Sequence, residues 1–393
     1  MLRNQNLPSL VIRIWQQGSD LKALNKKVQL IYAFNGTGKT RLSRLFKELV
    51  SPKVDENGEQ ATLKALYYNA FTEDLFYWDN DLDGDVDRML KIHPNEFTKW
   101  VLEEQGRGPA IIEHFQKLSS GTIEPIFSAD FSEIAFKMKS DIKGASIKIS
   151  KGEESNLVWS VFYSLLDLAI EELSSAEDDR STDKFNGLEY VFIDDPVSSL
   201  DDSHLIELAV DLAKLVKSSS VGLKFVITTH NPLFYNVLSN EFSNKLAKDP
   251  NAVDIKWLYR SKESQKYRLD KDSAGDFELT ILGDNTPFSY HLLLLAEIRE
   301  ALISNQVRKY HFSFVRNILE KTATFLGHKG WAELLPKADD GNPDPFANRI
   351  LNLSSHSAHA GEETGEVEAN DKQKLEYLVD YLSSEYGFWR QEV

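Results

Sequence analysis

One octapeptide limits what this chain can become: Ala33-Phe34-Asn35-Gly36-Thr37-Gly38-Lys39-Thr40. The apolar run Val28 to Tyr32 precedes it, and Arg41-Leu42-Ser43-Arg44-Leu45-Phe46 follows with apolar residues at helical spacing. Strand, small-residue loop and helix is the context in which a Gly-Lys-Thr triplet cradles phosphate. The N–H groups of such a loop and the N-terminus of the helix face anionic oxygen. Lys39 then supplies a point charge to the terminal phosphates and Thr40 a hydroxyl ligand for Mg²⁺. Asn35, Gly36, Gly38 and Arg41 complete the stretch expected to touch nucleotide. The first glycine usual in this motif is Ala33 here. Alanine tolerates any backbone that avoids positive φ, so the loop is still expected to form.

Three further stretches belong to the same chemistry. Ile147-Lys148-Ile149-Ser150-Lys151-Gly152-Glu153 opens an apolar helical run from Leu157 to Ile170. Ser150, Gly152 and Glu153 thus stand at a helix start, where N–H groups can meet a γ-phosphate. Taken alone, the same residues are an ordinary helix cap. Leu188 to Ile193 reads as a strand buried on both faces and ends in Asp194-Asp195-Pro196. Asp194 is placed to hold Mg²⁺, and Asp195 to orient or deprotonate an attacking water. A third buried strand, Leu223 to Thr229, ends on His230, which can donate to a γ-phosphate. Asn69, at the end of an expected strand from Leu66, either touches metal or water or simply fixes a turn.

With 393 residues and 41% hydrophobic content, the chain has room for two domains, or one large one with an appendage, and for a real core. A net charge of −16 argues against indiscriminate nucleic-acid binding, which draws on phosphate neutralisation. A nucleic-acid substrate would need a local basic surface on this acidic body. The absence of cysteine excludes disulfides and thiolate metal sites and fits a cytoplasmic address. No signal-peptide pattern is present, and Leu292 to Ala296 is far too short an apolar run to span a bilayer.

A polar stretch from Ser261 to Gly275 suggests a boundary, giving expected domains over 1–265 and 266–393. Beyond it, Tyr290 to Leu302 and Tyr310 to Lys321 have helical patterning. In the second, Phe312, Val315, Leu319 and Ala323 share an apolar face, while Arg316 and Glu320 are neighbours on another. The plain reading of that pair is a solvated ion pair worth about 0.3–0.5 kcal/mol. Downstream, Asn352 to Gly361 places His356 and His359 among small residues. An imidazole with a pKa of about 6.5 suits proton transfer near neutrality. Arginine, glutamate and histidine suffice for RNA scission without a metal. The 2′-OH attacks the adjacent phosphorus, one group takes its proton, another protonates the leaving 5′ oxygen, and the guanidinium neutralises the phosphorane. DNA lacks that nucleophile.

Read together, the four phosphate-facing stretches resemble the Walker A, signature, Walker B with D-loop, and switch-histidine motifs of ABC-type ATPases. That resemblance implies a head-to-tail pair, with Ser150 and Gly152 of one protomer facing phosphates at Lys39 of the other. Asp195 stands where many relatives carry glutamate, which suits a slow switch. The interval from loop to signature is too short for long coiled-coil arms.

The whole chain, through I-Y-A-F-N-G-T-G-K-T-R-L-S-R, F-I-D-D-P-V-S-S-L-D-D and R-N-I-L-E-K-T-A-T-F-L-G followed by Ser-Ser-His, also resembles the anticodon nuclease family. It implies an α/β ABC-type P-loop ATPase domain followed by a mostly α-helical nuclease domain. The family's catalytic residues fall on Arg316, Glu320 and His356, with His359 the alternative if the alignment slips. The implied substrate is the anticodon loop of a lysine tRNA, left with 2′,3′-cyclic phosphate and 5′-OH ends. The implied ligands are ATP or GTP with Mg²⁺, and dTTP as a stabilising nucleotide. The implied partners are a second copy and a type I restriction–modification complex that silences the nuclease until phage antagonises it. Arg299, Arg308, Lys309, Lys321 and Lys329 would supply the basic surface, unless they are only a solvated helix face. The rival reading is a DNA-associated ATPase with a partner-docking module, which has no use for the Arg–Glu pair and distant histidine.

Overall fold

The computed structural model describes residues 25–50, 64–69, 76–79, 89–92, 100–119, 121–141, 144, 146–196, 200, 202–219, 222–249, 251, 254, 256–271, 277–282, 290–337 and 367–388. The chain divides into two compact units, Met1–Thr286 and Pro287–Val393.

In the first unit the elements run β1 (Val28–Ala33), α1 (Lys39–Val50), β2 (Ala65–Asn69), β3 (Phe76–Asp79), β4 (Met89–Ile92), α2 (Gly108–Leu118), β5 (Ile123–Phe127), β6 (Glu133–Met138) and α3 (Lys151–Ser174). They continue through β7 (Tyr190–Asp194), α4 (Asp202–Ser218), β8 (Lys224–Thr229), α5 (Pro232–Ser243), β9 (Leu246–Ala247), β10 (Trp257–Tyr259), β11 (Ser264–Lys271) and β12 (Phe277–Leu282). The main sheet has the order β12-β11-β1-β8-β7-β2. All its pairs are parallel except that of β12, which closes one edge antiparallel to β11. Every residue of β1 and β7 is buried, as unbroken apolar runs in a doubly covered parallel sheet require. Helix α1 lies on this sheet through Leu42, Phe46 and Val50, which join Ile31, Tyr190, Phe192 and Val226 in one core. Phe46 meets Tyr190 edge-on at 5.3 Å, a favoured aromatic geometry. A separate antiparallel sheet has the order β3-β4-β6-β5.

Two expectations from the sequence are refined here. Ala33 is the last residue of β1, fully buried in that core and absent from the positive-φ positions. The strand thus accepts a methyl where the motif usually has glycine. The polar stretch read as a boundary is instead β11, paired in register with β1 from Ser264 to Leu269. Tyr267 and Leu269 enter the core while Lys266 donates to the Ser243 hydroxyl at 2.8 Å. Strand alternation had the composition of a linker. The expected division at 265/266 falls inside this strand, and the compact units part after Thr286.

The second unit is helical: α6 (Tyr290–Ile303), α7 (Lys309–Leu326), a 3₁₀ turn (Trp331–Leu334) and α8 (Ala369–Glu385). Its buried residues include Leu294 and Ile298 of α6, Phe312, Val315, Ile318 and Leu319 of α7, and Leu375, Leu378 and Leu382 of α8. Gly327 ends α7 in the left-handed conformation at φ 75°, a favoured glycine stop. Among the described residues, no helix is long and apolar enough to cross a membrane.

Candidate nucleotide and nuclease sites

The register of β1, β8 and β7 brings three motifs to one sheet edge. Tyr32 stands beside Thr229, and Asp194 beside Thr228. The octapeptide, the two aspartates and His230 therefore emerge together at the carboxyl ends of adjacent parallel strands, the usual ligand edge of such a sheet. Gly36 and Gly38 adopt φ of 82° and 86°, a region open to glycine at little cost. The Thr37 hydroxyl donates to the Phe34 carbonyl at 2.6 Å and pins the turn.

Lys39, 7% exposed, directs its ammonium into this loop. It donates to the carbonyls of Ala33 and Phe34 at 3.2 and 3.3 Å and to Asn35 Oδ1 at 3.2 Å. Its Nζ also lies 3.5 Å from Asp195 Oδ2. An ammonium has three protons, so these four acceptors already fill it. Thr40 follows within α1, its carbonyl accepting the Ser43 hydroxyl at 2.9 Å, and Arg41 is exposed. The turn, the buried ammonium and the adjacent carboxylates suit a nucleoside triphosphate and a hard cation.

Asp194 is 1% exposed, and three hydroxyls surround it. Thr228 donates to Oδ1 at 2.7 Å. Ser43 and Tyr67 lie 3.1 and 3.3 Å from Oδ2 and 2.9 Å from each other. Neither Ser43 nor Tyr67 stands out in the sequence. The only signal for Tyr67 is its place one strand over, near the end of β2.

Asp195 sits at φ 52°, left-handed for a residue with a side chain. Its N–H donates to the Thr228 carbonyl at 2.9 Å, and its Oδ1 accepts from Thr229 Oγ1 at 3.2 Å and the His230 N–H at 3.3 Å. Oδ2 pairs with His230 Nδ1 at 2.5 Å. Burial alone would raise the Asp195 pKa, but bonds and charge from His230 and the Lys39 ammonium outweigh it and hold the carboxyl below its usual range. An ionised carboxylate only accepts, so Nδ1 is the donor. That leaves Nε2 of His230, which can donate to phosphate only when the ring carries its second proton. The structure thus joins Lys39, Asp195 and His230 to one another.

Ser150 caps α3 in a reciprocal box. Its hydroxyl accepts the Glu153 N–H at 3.3 Å, and the Glu153 carboxylate accepts the Ser150 N–H at 2.6 Å. Ser150 is exposed and its O–H proton is not consumed by this box, while Gly152 presents no side chain between Lys151 and Glu153. The ordinary cap reading and a phosphate-facing role are therefore compatible. The side chain of Asn69 and residues 197–199 of the D-loop lie outside the described residues.

In the second unit, Arg316 Nε donates to Glu320 Oε1 at 2.9 Å on α7. Their side chains are 31% and 51% exposed, enough for a substrate to reach both. The Arg316 guanidinium lies 5.6 Å above the Trp331 ring, a contact the sequence did not announce. Arg308, Lys309, Lys321 and Lys329 are exposed nearby along the chain. Arg299 instead donates to Ser383 Oγ at 2.7 Å within the helical packing. His356 and His359 lie outside the described residues.

The AAA domain family matches residues 130–379. The chain is 49% identical over 382 residues to the anticodon nuclease of Escherichia coli, covering 93% of this chain and 91% of that protein. Solved structures include an SMC head bound to the C-terminal winged-helix domain of ScpA, with a TM-score of 0.34, and the SMC head domain from Thermotoga maritima, with 0.27. Each is 12% identical and covers 66% of this chain and 91% of its own.

Proposed function

This chain belongs to the anticodon nuclease family, and from that premise we propose that nucleotide bound in its first unit governs scission of a lysine tRNA anticodon loop by Arg316, Glu320 and His356. The family makes it a tRNA anticodon nuclease with an AAA-type ATPase domain. The observation that carries the finer reading is the Arg316–Glu320 pair, bonded at 2.9 Å yet open to solvent on α7. Arg316 neutralises charge growing on the phosphorane, and Glu320 takes the 2′-OH proton. The His356 imidazole returns a proton to the leaving 5′ oxygen. Each acid–base group is worth roughly 10²–10⁴ in rate, and the guanidinium roughly 10²–10³. The products are a 2′,3′-cyclic phosphate and a 5′-OH, and the 2′-OH requirement confines the reaction to RNA.

In the first unit, Lys39, the loop N–H groups and Thr40 would hold ATP or GTP, with Asp194 on the side of Mg²⁺. Bound Mg²⁺ neutralises phosphate charge. Asp195 and His230 face the terminal phosphate. Ser150, Gly152 and Glu153 of a second copy complete the site, which makes the working unit at least a homodimer. We assign dTTP as a stabilising ligand, a type I restriction–modification complex as the silencing partner, and the cytoplasm as the place of action, in antiphage defence. RNA ends sequenced after induction in a bacterial cell test the reading. New 5′-OH ends confined to the lysine tRNA anticodon loop, and lost in His356→Ala, are expected. Ends in another tRNA, or scission undiminished in both His356→Ala and His359→Ala, would overturn it.

A further inference from the structure

We propose that Trp331 is a positioning residue for the nuclease reaction: its ring holds the Arg316 guanidinium so that both Nη groups are aimed at the scissile phosphate. The inference rests on the catalytic role assigned to Arg316 above.

A free arginine side chain samples many rotamers, and ordering it costs conformational entropy. Arg316 is ordered from two sides before any substrate arrives. Nε is spent on Glu320 Oε1 at 2.9 Å. On another side the Trp331 ring lies with its centroid 5.6 Å from Arg316 Cζ, within reach of a cation–π contact. An indole face is the best of the aromatic partners for a cation. Such a contact is electrostatic and pairs none of the Nη protons with an acceptor oxygen. The four Nη protons thus remain in a plane that can meet two phosphate oxygens at once.

The turn that carries Trp331 is itself held at several points. The Glu333 carboxylate accepts from the Lys329 N–H at 3.2 Å and pairs with His328 Nδ1 at 3.0 Å. Leu334 and Leu335 are buried, and the Leu334 carbonyl accepts the Tyr386 hydroxyl of the chain after α8 at 3.2 Å. Trp331 is itself only partly buried. A tryptophan whose sole task was to fill the core would be expected at the depth of Leu334. A displacement of about 1 Å at a charge-stabilising group can cost on the order of 10²-fold in rate, so a rigid support has a use here.

The test uses the full chain with a lysine tRNA anticodon stem-loop, comparing Trp331→Phe, Trp331→Leu, Arg316→Lys, Arg316→Ala and the double variant Arg316→Lys/Trp331→Leu. Trp331→Leu should lower kcat about tenfold with KM within about twofold, because the guanidinium matters most in the transition state. Trp331→Phe should recover part of that loss, since a benzene face attracts cations less strongly. In the Arg316→Lys background, Trp331→Leu should cost less than about twofold, as a group acting only through Arg316 must. An undiminished tenfold loss in that background would make Trp331 merely structural and overturn the inference. Unchanged kcat in Trp331→Leu would overturn it as well. If Arg316→Lys and Arg316→Ala both cleave like wild type, the premise about Arg316 fails instead, and the two failures are distinct.

Discussion

Asp194 depends on hydroxyls rather than on charge. A carboxylate 1% exposed needs compensation for lost water; Thr228 and Tyr67 provide it at 2.7 and 3.3 Å, and Ser43, 3.1 Å away, divides its single proton between this carboxylate and the Thr40 carbonyl. Partners of this kind orient a metal ligand, and losing one typically costs about 10–100-fold in metal affinity or activity. Tyr67→Phe and Ser43→Ala should therefore raise the Mg²⁺ concentration that half-saturates binding of a fluorescent ATP analogue. A titration matching wild type would show that the hydroxyls only fill space. None of this was legible in the chain, because Tyr67 and Asp194 meet across 127 residues of separation. The aspartates themselves were legible, since two carboxylates ending an unbroken apolar strand are too costly to bury for packing alone. The Arg316–Glu320 contact was equally readable, because helical spacing alone makes them neighbours. Trp331 was not. Nothing in its local context separates a ring that supports a cation from one that fills a core.

At the scale of elements, α7 is both the platform for Arg316 and Glu320 and a pH-sensitive helix of the second unit. His311, 2% exposed, accepts the Arg308 N–H on Nδ1 at 2.8 Å in the first turn. Burial, and then the Arg308 charge, push its pKa down to about 4. The unfolded chain binds this proton near its ordinary pKa of about 6.5, whereas the folded helix refuses it until about pH 4. The stabilisation is thus complete above about pH 6.5 and is lost as pH falls towards 4. The urea midpoint of the full chain should be lower at pH 5 than at pH 7.5, and His311→Gln should narrow that difference. A pH dependence unaltered in His311→Gln would contradict the assignment. Composition misled at this scale in one place. The polar stretch at Ser261 to Gly275 contains β11, whose polar side chains alternate with Tyr267 and Leu269 in the core. A strand beside the edge of a sheet can look like a linker when only its mean polarity is read.

For the whole molecule, an acidic chain of net charge −16 acts on an acidic polymer. Long-range attraction by the chain as a whole does not favour tRNA, so the proposed function calls for a local basic surface, for which Arg308, Lys309, Lys321 and Lys329 are exposed and Arg316 is partly exposed. On the proposed function, nucleotide in the first unit controls scission by the second. Lys39 is the residue through which it would act, since its ammonium is bound to the loop carbonyls and to Asp195 and would have to be shared with phosphate when nucleotide binds. The direct measurement is the rate of lysine tRNA scission by purified protein, with and without Mg²⁺ and ATP or GTP, for wild type and Lys39→Ala. Nucleotide should change the wild-type rate by at least about tenfold and leave the Lys39→Ala rate unaltered. Equal nucleotide dependence in both proteins, or scission indifferent to nucleotide in wild type, would contradict the coupling.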